Sequence, residues 1–134
     1  MILVDAGPLV ALVHREDYHH ESCLAFLRSV REPLGTCWPV VSEAMHLLRF
    51  SWQAQDNLWE MIASEVPRLM PIGPDHVPRM RQLMHKYRDL PMDLADAALV
   101  TIAERESIRR VFTLDRRDFT LYRPVRIGRF DIIP

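Results

Sequence analysis

Residues 92–118, MDLADAALVTIAERESIRRVFTLDRRD, decide the fold. Leu94, Ala97, Ala98, Thr101 and Ile102 recur at spacings of three and four, which predicts a helix over Met92 to Glu106 with one apolar face. Arg110 to Leu114 then forms a short apolar run expected to be a strand, and polar Asp115-Arg116-Arg117-Asp118 follows it. The start of the chain repeats that ending. Met1 to Val4 is an apolar run that closes on Asp5, and Gly7-Pro8 breaks it. Both runs read as buried strands with a carboxylate at the exit. Strands separated by helices predict an α/β three-layer sandwich around a mainly parallel sheet. In such sheets ligands bind beyond the carboxyl ends of the strands, where Asp5 and Asp115 stand.

The remaining elements extend the alternation. Leu9 to His14 starts a short helix, and Asp17 can cap a second one running to about Val30, whose apolar face is Leu24, Phe26, Leu27 and Val30. Thr36-Cys37-Trp38 is expected to be a short strand or bridge. Pro39 opens a helix carrying Val40, Val41, Ala44, Leu47 and Leu48. Gln53 to Ser64 is a further helix. Val66 to Ile72 reads as a strand whose Pro67 and Pro71 place it at an edge. Asp75 to Tyr87 is helical with Pro78 in its first turn, and Val125 to Ile127 reads as a last strand.

A chain of 134 residues predicts a single domain, 1–134, with one core. No apolar run approaches the ~20 residues of a membrane span. Met1-Ile2-Leu3-Val4-Asp5 has no basic region and no cleavage-like site, so no secretory signal is expected. Cys23 and Cys37 make no disulfide framework and fit free buried thiols in a reducing cytoplasm. His14, His19 and His20 lack a cysteine at ligand spacing, so surface or half-buried histidines are expected rather than a zinc site. Trp52, Trp59 and Met61 are either core or a patch for a partner.

The net charge of −1 hides an uneven distribution. Lys86 is the only lysine among 17 basic residues. From Arg105 to Arg129 eight arginines face only three acids, Glu106, Asp115 and Asp118. A phosphate-bearing partner suits that end. Arg116 and Arg117, beside Asp115, are the candidates for phosphate contact, with solvated loop arginines as the alternative.

Two further acids stand among apolar neighbours. Asp96 lies in Leu94-Ala95-Asp96-Ala97-Ala98, and Asp93 projects from the same side one turn earlier. Either can cap the helix. Glu43 lies in Val40-Val41-Ser42-Glu43-Ala44, where a surface role or a pair with Arg49 is the competing reading. Two carboxylates about 4 Å apart repel by roughly 4 kcal/mol at an effective dielectric of about 20. A cluster of them requires protons or a cation, and oxygen ligands suit Mg2+ or Mn2+.

Asp5 after Ile2-Leu3-Val4, Glu43 in Val41-Ser42-Glu43-Ala44, Asp96-Ala97 after Leu94-Ala95, and Thr113-Leu114-Asp115-Arg116-Arg117-Asp118-Phe119 resemble the four acidic motifs of the PIN-domain family. Within it the chain is most similar to the VapC-type toxin ribonucleases of VapBC toxin–antitoxin pairs. The resemblance runs from residue 2 to about 130. It implies a sheet of about five parallel strands and Mg2+- or Mn2+-dependent endoribonuclease activity on structured RNA such as tRNA or rRNA. It also implies a homodimer and a cognate antitoxin. By position it makes Asp5, Glu43, Asp96 and Asp115 the catalytic and metal residues. Asp93, Asp118 and Thr113 support them, Thr113 by orienting Asp115 or a water. Many relatives place a hydroxyl residue after the first acid, whereas this chain has Ala6-Gly7-Pro8.

Other readings are weaker. A haloacid-dehalogenase-type phosphoaspartate enzyme needs a second Asp at position 7, which is Gly, and a receiver domain needs a late lysine that is absent. A catalytically silent PIN-fold module binding RNA or protein is the remaining alternative, against which the full acidic quartet argues.

Overall fold

The computed structural model describes residues 1–134. Its elements are β1 (Ile2–Val4), α1 (Ala6–Val13), α2 (His20–Ser29), β2 (Leu34–Thr36), α3 (Trp38–Leu47) and α4 (Trp52–Ala63), then β3 (Arg68–Leu69) and a 3-10 turn (Pro74–His76). The chain continues through α5 (Val77–Lys86), α6 (Leu94–Glu106), β4 (Arg110–Phe112), α7 (Arg116–Leu121) and β5 (Asp131–Ile133). All four strand pairings are parallel, in the order β3-β2-β1-β4-β5. The helices flank this sheet, as the α/β sandwich reading expects.

The order reverses at β1: the chain first steps outward to β2 and β3, then returns to β1's other side for β4 and β5. The crevice between the ends of β1 and β4 is therefore the switch point of the sheet, where α/β proteins place their ligands. Asp5 and Thr113 leave these two strands. The Asp5 N–H still bonds the Phe112 carbonyl at 3.0 Å, so the ladder persists up to the first acid. A Cβ on Gly7 would lie 3.3 Å from Leu114 Cδ1, and the bare glycine lets the first turn of α1 press against the exit of β4.

Packing explains the central elements. Ile2, Leu3 and Val4 are buried, as are Val111 and Phe112 beside them. α6 is buried along nearly its whole length from Ala95 to Glu104, more than a one-faced helix requires. Its Ser107 cap sits at φ 55°, a left-handed stop. Buried Thr36 and Thr101 spend their hydroxyls on the carbonyls of Val4 and Ala97.

Several boundaries differ from expectation. Asp17 accepts from the His19 N–H in a turn, and α2 starts only at His20. β2 precedes rather than contains Trp38, because Cys37 caps α3 and Pro39 falls in that helix's first turn. β3 is only two residues long, held at the edge between its prolines. The last strand is 131–133, not 125–127. Val125 to Ile127 forms a turn with Arg126 at φ 69°, and buried Ile127 serves as a plug. α7 starts within the stretch read only as polar, Asp115 to Asp118. Trp52 and Trp59 are exposed, while Met61 packs against the core. No helix is long and apolar enough to cross a membrane, and both cysteines are free and buried.

Candidate metal centre

Three helices begin at one place, and each begins with an aspartate. Asp5 caps α1, its Oδ1 accepting from the Ala6 N–H at 2.8 Å. Asp93 caps α6, its Oδ1 accepting from the Asp96 N–H at 2.8 Å. Asp115 caps α7, its Oδ1 accepting from the Asp118 N–H at 3.1 Å. The caps answer unpaired N–H groups, and the positive ends of the helix dipoles offset part of the charge. Asp96 and Asp118 follow three residues after a cap, one helical turn on, so they rise beside it. Glu43 comes from the middle of α3 without a cap role.

These six acids line one pocket of about 330 Å³ with Leu47, Pro91 and Leu114, and no Lys or Arg lines it. Asp96, Asp115 and Asp118 each offer an oxygen within 4.8 Å of the others. Asp118, expected in a supporting place, thus belongs to the tightest group, because α7 brings it beside Asp115. Asp5 has each oxygen already engaged once, Oδ1 by Ala6 and Oδ2 by Thr113 Oγ1 at 2.7 Å. Thr113 Oγ1 also accepts from the Asp115 N–H at 3.0 Å, so one hydroxyl serves two acids. Glu43 does not pair with Arg49, whose guanidinium turns to the His46 carbonyl.

The electrostatics follow from crowding and burial. Burial raises the Asp5 carboxyl, the Thr113 and Ala6 bonds pull it back, and Asp93 and Asp115 push it further up. Burial, then Asp93, Asp5 and Asp115, carries Glu43 up to about 7. Burial and Asp5 carry Asp96 up to about 8 against a lowering bond from Tyr122. Asp118 is raised by burial and by Asp115, with Arg117 opposing. Near neutral pH the pocket therefore retains protons or takes a cation. An all-oxygen donor set with no thiolate or imidazole matches a hard ion such as Mg2+ or Mn2+.

Tyr122 is the residue that sequence reasoning missed. It is fully buried, and its Oη donates to Asp96 Oδ2 at 2.6 Å. A helical reading of 116–121 would have found it, since Phe119 and Tyr122 lie three apart on the face that turns inward. Arg116 and Arg117 are exposed and lie outside the pocket lining; Arg116 donates to the Pro134 carbonyl. The three histidines singled out earlier scatter: His14 packs on Phe50, and His20 Nδ1 meets the Ala11 carbonyl.

Fold and pocket together define a parallel α/β protein whose strand ends gather carboxylates around one pocket. The chain belongs to the PIN domain family, whose model matches residues 2–123. It is 29% identical over 135 residues to Ribonuclease VapC26 of Mycobacterium tuberculosis, covering 99% of this chain and 100% of that protein. Its fold matches the crystal structure of Mycobacterium tuberculosis VapC20, a sarcin–ricin loop cleaving toxin, with a TM-score of 0.75 and 18% identity. That match covers 83% of this chain and 87% of the other.

Proposed function

We propose that this protein is a VapC-type toxin: a cytoplasmic, Mg2+- or Mn2+-dependent endoribonuclease that cuts structured RNA and is held in check by a cognate antitoxin. The observation that carries the reading is a pocket lined by six acids and by no Lys or Arg, at the switch point of a PIN fold. Similarity over the whole chain to VapC26, a ribonuclease, supports RNA as the substrate class.

Asp96, Asp115 and Asp118 would hold the ion, with Asp5 and Glu43 adding negative charge around it. Thr113 and Asp93 fix the frame, Thr113 through Asp5 and the Asp115 N–H, Asp93 through the start of α6. When bound, such an ion would supply Lewis acidity, making water a better nucleophile and offsetting charge at the phosphoryl group. Water attacks phosphorus in line and the 3′ oxygen departs, leaving a 5′-phosphate and a 3′-hydroxyl. The ribose 2′-OH takes no part in the bond change. Glu43, which lines the pocket and caps no helix, is the acid assigned to accept a proton from the attacking water. Arg117 contacts RNA phosphate from outside the pocket. A homodimer is the assembly expected of the type.

The test is cleavage of tRNA and of rRNA fragments in Mn2+, in Mg2+ and in EDTA, beside Asp96→Asn. Metal-dependent cuts bearing 5′-phosphates, lost in the variant, are expected. No cleavage together with no Mn2+ binding by calorimetry sinks the reading and leaves a binding module.

A further inference from the structure

Tyr122 stands at a junction that the acids do not explain. Its N–H donates to the Asp118 carbonyl and closes α7. Its Oη crosses to α6 and donates to Asp96 Oδ2 at 2.6 Å. No other hydrogen bond joins α6 to α7 or its cap. The three acids whose oxygens lie within 4.8 Å of one another are thus tied at both ends through this residue: Asp115 opens α7, Asp118 rides its first turn, and Tyr122 returns the chain to Asp96. The phenol itself cannot turn away. It is fully buried, with Tyr87 and Phe119 edge-on at centroid distances of 5.0 and 5.2 Å.

The bond divides the Asp96 carboxylate. Oδ2 accepts a short bond from the Tyr122 hydroxyl, while Oδ1 accepts nothing from the chain, and Asp96 lines the pocket. A carboxylate held in this way has Oδ1 free for a cation and Oδ2 already committed in part to the phenol. Mg2+ demands near-octahedral geometry from single oxygens, whereas Ca2+ accepts either one or both oxygens of a carboxylate at longer distances. Groups that bond a metal's ligands typically govern ~10–100-fold in affinity.

We infer that Tyr122 is a positioning residue that restricts Asp96 to one oxygen toward the cation, and so favours Mg2+ or Mn2+ over Ca2+ in this pocket. The inference rests on the proposed metal site and adds what selects the ion.

The test is calorimetric titration of Mn2+, with Ca2+ in competition, into the wild type, Tyr122→Phe and Tyr87→Phe. Phe keeps the ring and its packing and removes only the hydroxyl. Tyr87 belongs to the same aromatic stack, and its Oη accepts from the Arg123 N–H rather than touching an acid. Tyr122→Phe should weaken Mn2+ binding by ~10-fold or more and raise the Ca2+/Mn2+ affinity ratio, with Tyr87→Phe matching the wild type. An unchanged Mn2+ affinity, or an equal loss for both ions, overturns the inference while leaving the metal site standing. Absence of Mn2+ binding by the wild type overturns both. Should Tyr122→Phe not fold, the wild type decides: the 13Cζ resonance of Tyr122 should shift on saturation with Mg2+, and a resonance that stays put overturns the inference.

Discussion

Thr113 Oγ1 donates to Asp5 Oδ2 at 2.7 Å across 108 positions of sequence, and both groups are buried. The hydroxyl absent after Asp5 in the chain reaches it from β4 instead. Because the same oxygen accepts from the Asp115 N–H, Thr113 couples the two strand ends that flank the switch point.

Thr113→Val keeps the shape of the side chain and removes the coupling. Asp5 then loses a bond that lowers its pKa, and the half-buried Asp115 N–H loses its partner. We expect Mn2+ affinity to fall by ~10-fold or more and stability by about 1–2 kcal/mol. Calorimetry and urea unfolding measure the two, and a Thr113→Ser variant should recover most of both.

Stability in the absence of metal should fall as pH rises. Asp5, Glu43 and Asp96 all have folded-state pKa values above their ordinary ones, Glu43 near 7 and Asp96 near 8. The native state then binds more protons than the unfolded chain, so its advantage is complete below about pH 4 and drains away up to about pH 8. For Asp96 alone the change between pH 6 and pH 8 is on the order of 2 kcal/mol. Melting in EDTA at pH 6 and pH 8 checks the direction. Mn2+ at ~100-fold over its Kd should restore about 2.7 kcal/mol at the higher pH, and Asp96→Asn should flatten the profile.

How much of this was legible in the sequence depends on how each signal arises. β1, β4 and α6 were readable because burial on all sides writes apolar runs and tight spacings into the chain. The acids at their ends were readable because a carboxylate following such a run is costly without a purpose. α7 was not. Six residues give fewer than two turns, only Phe119 among them is buried, and its cap and charges look like a turn. With the helix went the closeness of Asp118 to Asp115 and the inward course of Tyr122. β5 was misplaced because Ile127 is as apolar as Ile132; only the left-handed Arg126 and the parallel pairing with β4 distinguish plug from strand. Local composition contains neither fact.

Glu104 should respond to acid in the opposite sense to the metal site. It is buried on α6, accepts from Arg79 Nε and Nη2 at 2.7 Å each, and accepts from the Val125 N–H at 2.7 Å. Burial alone would raise its carboxyl, but the Arg79 and Val125 bonds outweigh it and hold the pKa below 4.5. The contribution is complete above about pH 4.5 and is lost as pH falls through the depressed value. Glu104→Gln should cost about 2 kcal/mol at pH 7, less than a fully buried pair because Arg79 is partly exposed. The gap from wild type in urea unfolding should narrow toward pH 3. A gap that stays constant with pH would mean that shape rather than charge holds the loop after α7.

The two arginines beside Asp115 should part company in RNA binding. Arg116 already donates to the Pro134 carbonyl, so part of its fork is occupied within the chain. Arg117 is exposed and has no such bond, and its nearest electrostatic effect is to lower the Asp118 carboxyl. A phosphate contact releases counterions, so each one adds about 0.7 to 0.9 to the slope of log K against log salt. Measured in an Asp96→Asn background with EDTA, to prevent cutting, Arg117→Ala should weaken binding to any structured RNA and reduce that slope by close to 1. Arg116→Ala should change it by less. Fluorescence anisotropy across a salt series separates the cases. Slopes unchanged in both variants would remove these residues from the RNA contact and leave the basic surface elsewhere between Arg105 and Arg129 to carry it.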